Sequence, residues 1–199
     1  MSDAQPTFDQ YGALPGHLVN AAKQVVKFIG YFLDEESQKF DWSKFRGAIN
    51  NRPDDNMAIE HFDHVEIVQN ENALKVVVDQ ISTLLMKVAP ANIDQKGLAE
   101  IVLNAFTGLK GKEQSGFANY EKERDNSGFT YRFLFALPDA NMPNYFYALV
   151  TTVKLVSDIQ EKSAWFELGK DSRQNFSAKL DTIRLACCND FIASPKPSF

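Results

Sequence analysis

The sequence predicts an α/β protein of the α+β type, in which two helical hairpins wrap a mainly antiparallel sheet as a three-layer α-β-α sandwich. Two long aromatic and β-branched segments within residues 129–159 are joined by a turn rich in Pro, Asn and Asp, which is typical of a β-hairpin. Two pairs of amphipathic helical patterns precede this hairpin, separated by one strand-like segment. Because two strands alone are unstable in water, we expect the helices to cover both faces of the sheet.

The two strands of the central hairpin differ in pattern. The first has one apolar face, and the second has two apolar faces. In the first strand one face is aromatic, carrying Phe129, Tyr131, Phe133 and Phe135. The other face is mixed, with Thr130 and Arg132 beside Leu134 and Ala136. In the second strand both faces are largely apolar, with Tyr145, Tyr147, Leu149, Val153 and Leu155 alternating with Phe146, Ala148, Val150 and Val156. A strand that is apolar on both faces is expected to be covered on both sides.

Helical periodicity predicts four helices before the hairpin. The first pair covers 16–33 and about 42–49, and Pro53 lies beyond its end. A charged edge strand is predicted at 59–68. The second pair covers 72–88, with Asn70 or Asn72 as the cap, and about 94–109, opened by Asp94. The apolar face of the third helix carries Val77, Ile81, Leu84, Leu85 and Val88.

Further strands are predicted around the central hairpin. One covers 117–124 and is followed by a turn at 125–128, and two more cover 164–168 and 175–185. Residues 1–15 are expected to form an arm. A chain of 199 residues is long enough for one substantial core, so we interpret 1–199 as a single domain.

Composition excludes several classes of protein. The formal net charge of -5 gives no overall attraction to nucleic acid, so no nucleic-acid partner is expected. No segment approaches the roughly 18 apolar residues of a transmembrane helix. The N-terminal residues do not have the pattern of a secretory signal peptide. Cys187 and Cys188 are adjacent, which is poor geometry for a disulfide, so both are expected to be free thiols.

No catalytic motif is recognisable in the sequence. Nucleophile elbows, P-loops and dinucleotide-binding glycine patterns do not occur, so we expect no enzyme activity, no catalytic residue and no cofactor. The best metal candidate is the charged strand with Glu60, His61, Asp63, His64 and Glu66. Strand alternation divides these residues between two faces, which favours solvated edge residues and no metal. Trp165 is interpreted as a core residue, with an interfacial anchor as the alternative.

A small basic group could bind an anion. Lys170, Arg173 and Lys179 lie near the last predicted strands and form a candidate patch for a phosphorylated or sulfated headgroup, including a sulfated glycan. Asp171 and Asp181 dilute its charge, and scattered basic residues on a strand are more often only solvated.

The strands also suit a bilayer, because about 9–11 residues of alternating pattern are enough for a strand to cross one. The order of elements and the local sequence resemble the Cyt-type cytolytic δ-endotoxins over about 70–186. The similar segments are NAFTGLKG (104–111), TYRFLFAL (130–137), LVTTVKLVSDIQ (149–160) and GKDSRQNFSAKL (169–180).

The resemblance implies a pore-forming cytolytic and haemolytic toxin. Such a protein is a soluble monomer, is secreted or released, binds membrane lipid, forms homo-oligomers and permeabilises the bilayer. The strand residues that would then insert are Phe129, Tyr131, Phe133, Phe135, Tyr145, Tyr147, Leu149, Val153 and Leu155. The third helix would lie in the interface, and Arg132 and Lys154 would face away from lipid. Two alternatives stay open, a non-lytic polyanion- or glycan-binding module and a small-ligand carrier.

Overall fold

The fold consists of six helices and a five-stranded sheet in the residues that the structure describes. The computed structural model describes residues 14–34, 39–89, 94–114 and 118–198, and the predicted arm lies almost wholly outside them. In chain order the elements are α1 (Gly16–Gly30), α2 (Trp42–Asn50), β1 (Met57–Ala73), α3 (Leu74–Val88), α4 (Gln95–Thr107), α5 (Leu109–Gln114), β2 (Ala118–Glu123), β3 (Asn126–Pro138), β4 (Tyr145–Ser157), α6 (Lys162–Trp165) and β5 (Arg173–Cys188). The sheet has the order β1-β5-β4-β3-β2. The predicted α+β class with an antiparallel sheet and two helical hairpins is confirmed.

The helix starts follow from their backbone partners. Asp94 caps α4 as predicted, because its side chain accepts hydrogen bonds from the backbone N–H groups of Lys96 and Gly97. The prediction of an Asn cap for α3 is wrong, since β1 continues to Ala73 and no side chain caps the helix. The backbone N–H groups of Leu74 and Lys75 instead donate to the carbonyls of Ser172 and Lys170, at 2.8 and 3.0 Å. The turn before β5 therefore replaces the cap.

Strand β1 is longer than predicted and carries extra residues. It pairs with β5 from the Cys188 N–H, bonded to Asn56 O, to the Leu74 N–H, bonded to Ser172 O. Between these bonds β1 is two residues longer than the facing part of β5, so it must bulge. Glu71 has a φ of 51°, in the left-handed region, and marks one such position.

The predicted strand at 164–168 is wrong, because 164 and 165 end the short helix α6 and 166–167 form the turn that follows it. Backbone bonds from Ala164 N to Glu161 O and from Phe166 N to Ser163 O close the turns locally. Trp165 is fully buried and its Nε1–H donates to Ser127 Oγ at 2.7 Å, which supports the core interpretation of this residue. The segment is therefore folded around one large side chain rather than along a strand.

The turn before β3 is shorter than predicted. It consists of Arg124 and Asp125 alone, with Arg124 at a φ of 41°, and β3 already begins at Asn126. Gly128 lies inside this strand. A Cβ at this position would approach Leu155 O to 2.7 Å. Only glycine allows the two strands to pair this closely.

The chain divides into two compact units. The first contains the residues up to Phe62, Leu134–Val150 and the chain from Ile183 onward. Its core contains the aromatic rings of Phe28, Phe32, Phe45, Phe146 and Phe191. These rings belong to one cluster with small and aliphatic strand residues: Leu134, Ala136, Ala148, Ile183 and Leu185.

The second unit contains Asp63–Phe133 and Thr151–Thr182, and therefore α3 to α6 and β2. Its core combines aliphatic residues of α3 and α4 with aromatic residues of α4, α6 and β3: Val77, Ile81, Leu85, Leu98, Val102, Phe106, Trp165, Phe129, Tyr131 and Phe133. Among the described residues, no helix has both the length and the apolar character needed to cross a membrane.

Candidate membrane-interacting site

The aromatic face of β3 is fully buried. Phe129, Tyr131, Phe133 and Phe135 each have no exposed surface. Strand alternation places them on one face, and the Tyr131 and Phe133 rings lie 4.4 Å apart. Phe106 of α4 covers this pair, with ring centroids 6.3 Å from Tyr131 and 6.4 Å from Phe133. The aromatic row is therefore held away from water by a helix.

The apolar face of α3 is used in the core. Val77, Ile81, Leu85 and Val88 are buried, and Leu84 is half-buried. The opposite face is exposed at Lys75, Asp79 and Lys87. The predicted amphipathic helix is thus present, and its apolar side chains are in contact with protein rather than with solvent.

Strand β4 divides the predicted residues into two groups. Leu149, Val153 and Leu155 are completely buried. Tyr145 is 37% exposed and Tyr147 is half-buried. The Tyr147 hydroxyl donates to Asp139 Oδ2 at 2.9 Å, and this bond raises the pKa of Tyr147. Asp139 also accepts from the backbone N–H groups of Asn141 and Met142, which fixes the turn between β3 and β4 and lowers the pKa of Asp139.

The two basic residues of the hairpin, Arg132 and Lys154, have different surroundings. Arg132 is 7% exposed, and burial lowers its pKa to about 10. Lys154 Nζ lies 2.8 Å from Glu121 Oε2 and 3.0 Å from Glu123 Oε1. Burial lowers the pKa of Lys154, but the hydrogen bonds to both carboxylates outweigh this effect and leave it raised. Both side chains therefore carry a positive charge at neutral pH.

Sequence reasoning missed the two carboxylates that neutralise Lys154. Glu121 and Glu123 lie two residues apart on β2, so strand alternation places them on one face. That spacing was the available signal. The spacing alone does not identify Lys154 as the partner, because the sequence does not show which strand lies next to these carboxylates.

The structure places the basic residues Lys170, Arg173 and Lys179 in separate surroundings. Arg173 lines a shallow depression together with Glu71 and Asp158. Lys179 Nζ lies 3.3 Å from Glu66 Oε1. Lys170 is exposed, and its carbonyl accepts a hydrogen bond from the Lys75 N–H at the start of α3. A role of this group in anion binding stays a prediction.

The charged residues of β1 form cross-strand pairs. His64 Nδ1 lies 2.7 Å from Asp181 Oδ1, and His64 Nε2 lies 3.8 Å from Glu66 Oε1. The hydrogen bond to Asp181 raises the pKa of His64. Arg184 Nε lies 3.0 Å from Glu60 Oε2. Within the described ranges, no group of His, Cys, Asp or Glu side chains is arranged to hold a metal ion.

The structure keeps most of the apolar strand residues away from water. Seven of the nine strand residues predicted to insert are fully buried: Phe129, Tyr131, Phe133, Phe135, Leu149, Val153 and Leu155. Helix α4 covers Tyr131 and Phe133 through Phe106, and α3 presents Lys75, Asp79 and Lys87 to water. An assembly of this kind can exchange a protein cover for a lipid one, because hydrophobic burial is not directional.

Comparison with known proteins gives a consistent result. The family model described as "Bacillus thuringiensis toxin" matches residues 18–193. The activated Cyt2Ba monomer from Bacillus thuringiensis subsp. israelensis is similar in fold, with a TM-score of 0.79, 14% identity, and coverage of 94% of this chain and all of that one. A structure described as a delta-endotoxin has a TM-score of 0.80 and 14% identity, covering 96% of this chain and 90% of its own. No curated protein is significantly similar in sequence.

Proposed function

Because the chain belongs to the Bacillus thuringiensis toxin family and has the fold of the Cyt-type δ-endotoxins, we propose that it is a pore-forming cytolytic toxin. It acts without catalysis. It is released as a soluble monomer, binds membrane lipid directly, forms homo-oligomers there and permeabilises the bilayer. Cell lysis, including haemolysis, follows from the permeability change.

The observation that carries this proposal is the burial of the apolar β3 and β4 residues, with Phe106 of α4 packed against Tyr131 and Phe133. Phe129, Tyr131 and Phe133 are buried in an apolar core. Moving these side chains from the core into the acyl layer would cost little free energy, since both surroundings are apolar. The same holds for the buried face of α3. Contact with a bilayer can therefore compete with the intramolecular contacts at small net cost.

Helix α3 is suited to lie in the membrane interface. Its 15 residues extend over about 22 Å, less than the hydrocarbon core of about 30 Å. Lys75, Asp79 and Lys87 occupy the exposed face and would remain among the headgroups. In this mechanism the helix spreads on the surface while the strands enter the bilayer.

The basic residues of the hairpin constrain the inserted state. A charged Arg or Lys on the lipid-facing side at the bilayer centre costs about 2–4 kcal/mol. Arg132 and Lys154 therefore face a water-filled pore or a neighbouring protomer. Backbone groups cannot be left unpaired in hydrocarbon, so the strands of neighbouring protomers must pair with one another, and this requires oligomerisation.

Dye release tests the proposal directly. Purified protein at nanomolar to micromolar concentration is added to calcein-loaded vesicles of pure phospholipid, and the membrane fraction is then cross-linked and sized. We expect release without any protein receptor, together with oligomers found only in the presence of vesicles. Sealed vesicles beside monomeric protein would refute the proposal. Salt-sensitive binding to a polyanion without dye release would favour the glycan-binding alternative.

A further inference from the structure

A cleft of about 530 Å³ lies in the first unit, far in sequence from the central hairpin. One wall is the outer face of α2 with the turn that follows it, and the other is the C-terminal tail from Ser194 to Ser198. A volume of this size is typical of sites for small organic molecules and much larger than a bare inorganic anion. The described lining residues are Lys44, Gly47, Ala48, Asn51, Arg52, Pro53, Asp54, Ser194, Pro195, Lys196, Pro197 and Ser198.

The charge of the lining is positive. Lys44, Arg52 and Lys196 contribute three cations, and Asp54 is the one carboxylate among the described lining residues. Proline and alanine side chains supply apolar walls between the charged groups. This combination suits a molecule with an anionic end and a short organic part.

Arg52 is held rigidly at the inner side of the cleft. Its guanidinium carbon lies 4.6 Å from the Phe191 ring centre and 5.3 Å from that of Phe28. Its Nη2 donates to Ile192 O at 3.2 Å and to Asn56 Oδ1 at 3.4 Å. The Nε–H is buried and has no hydrogen-bond partner among the described residues, so it does not face the cleft. A guanidinium held by these contacts contributes a positive charge in a fixed position, which favours an anionic ligand.

Gly47 indicates that the space is kept open. Glycine in the interior of a helix is destabilising relative to alanine, and Gly47 lies in the middle of α2. No steric reason requires glycine there, since a Cβ would meet no atom within 4 Å. The residue lines the cleft, so its missing side chain preserves the volume.

We propose that this cleft binds a phosphate ester carrying a small organic group. The phosphate would lie between Arg52, Lys44 and Lys196, and the organic part would contact Ala48, Pro195 and Pro197. The same chemistry is present in a soluble phosphate ester and in the headgroup of a phospholipid. The site stands on its own geometry and does not require that the protein lyse membranes.

Two ligands separate the possible sources. Glycerol 3-phosphate is titrated into ¹⁵N-labelled protein and followed by the amide signals of Gly47, Arg52 and Lys196. Binding to sucrose-loaded phosphatidylglycerol vesicles is measured by sedimentation of the wild type and of a Gly47→Leu variant. Binding of both probes identifies a lipid headgroup that is also recognised free. Binding of glycerol 3-phosphate alone identifies a soluble ester as the ligand. Binding of vesicles alone, if it depends on Gly47, identifies a phospholipid headgroup that the cleft recognises only in a membrane.

The decisive variant fills the cleft without removing a contact. Gly47→Leu is expected to weaken binding at least about tenfold, a loss that corresponds to about 1.4 kcal/mol. Gly30→Leu is the matched control, because Gly30 also lies in a helix with no atom within 4 Å of an added Cβ and does not line the cleft. It should leave binding unchanged. Lys196→Gln should weaken binding about threefold to tenfold and reduce its salt dependence.

The proposal is overturned if neither probe binds the wild type, or if Gly47→Leu binds as tightly as Gly30→Leu. Unfolding curves of both variants check that each is folded, so loss of binding in a folded Gly47→Leu is interpretable. Calcein release is measured in parallel. A variant that loses glycerol 3-phosphate binding but still lyses vesicles supports the site and separates it from lysis, while a wild type that binds and does not lyse refutes only the lytic function.

Discussion

The first unit has a cluster of aromatic rings in its core, whereas helix α3 of the second unit is buried without any aromatic side chain. In the first, Phe28 contacts the rings of Phe32, Phe45 and Phe191 at 5.1, 6.1 and 5.7 Å. In the second, the buried face of α3 is aliphatic, with Val77, Ile81 and Leu85 as its centre. Edge-to-face ring contacts depend on orientation, whereas aliphatic contacts depend mainly on area. Replacing protein contacts by lipid contacts would therefore cost the aliphatic helix less free energy.

The helix ends do not divide by unit, because α2 and α4 have side-chain caps whereas α1 and α3 do not. Asp41 caps α2 through a hydrogen bond from Lys44 N at 2.9 Å. Gln24 of α1 accepts from Ala193 N, which ties the helix to the C-terminal tail. By contrast, α3 has no side-chain cap and depends on two carbonyls of the turn before β5. We infer that α3, with α4, is the hairpin that leaves the sheet at a membrane.

The largest effect is expected when α3 is tied to the sheet. The Gln69 and Gln80 side chains, on β1 and α3, lie 2.8 Å apart. Gln69→Cys/Gln80→Cys joined by a short bis-maleimide should reduce calcein release at least about tenfold, because the helix must leave for the change of state. Cys188→Ser is the background, while Cys187 is fully buried and burial raises its pKa, so it does not react.

A second cross-link serves as the control for this lock. Thr83 of α3 and Gln95 of α4 are hydrogen-bonded to each other at 3.3 Å. Joining these two positions ties the hairpin to itself and should leave release unchanged. Undiminished lysis by the Gln69–Gln80 lock would rule out departure of α3.

Shape-changing substitutions measure the orientation dependence of the two cores. Phe45 contacts the rings of Phe28, Phe32, Phe40 and Trp42. Phe45→Leu should lower the free energy of unfolding by about 2–3 kcal/mol, since each ring pair contributes about 0.5–1.5 kcal/mol beyond area and the contributions are not additive. Ile81→Leu should cost less than about 1.5 kcal/mol. Urea unfolding checks both, and equal losses would remove the distinction between the units.

A buried hydroxyl gives the next effect. Ser127 Oγ accepts from Trp165 Nε1 at 2.7 Å and donates to Ile159 O. Ser127→Ala leaves a buried indole N–H without this partner and should destabilise by about 1–3 kcal/mol. Ser82→Ala is the matched control, because Ser82 is equally buried but bonds only within its own helix, to Val78 O. Its cost in urea unfolding should be within about 0.5 kcal/mol, since alanine is the better helix former.

The smallest effect is a pH dependence at β1, the strand that holds Gln69. Asp181 and Glu66 raise the pKa of His64 and Lys179 opposes them. Because the folded pKa lies above the unfolded value of about 6.5, the stabilisation is fully present below that value and is lost as the pH rises through the folded pKa. His64→Gln should therefore cost more stability at pH 5.5 than at pH 8.5. Urea unfolding at both values, with His61→Gln as control, would exclude the effect if the two losses were equal.

Much of the fold was predictable where one residue spacing dominated. The alternation of β3, the helical face of α3 and the Asp94 cap are local patterns, and all three are present in the structure. The strand predicted at 164–168 was wrong because five residues carry too little periodicity to distinguish a strand from a turn of helix. Trp165 decided the outcome by packing beside Ser127, which lies 38 positions earlier.

The amino-acid sequence by itself determined which segments are apolar and on which side, because side-chain direction repeats with the backbone. Only the tertiary structure decided what meets those sides: Glu121 and Glu123 around Lys154, two carbonyls in place of a cap on α3, and Arg52 between two phenylalanine rings at the base of a cleft. These contacts join residues far apart in the chain. Their energies depend on distances that no local pattern specifies.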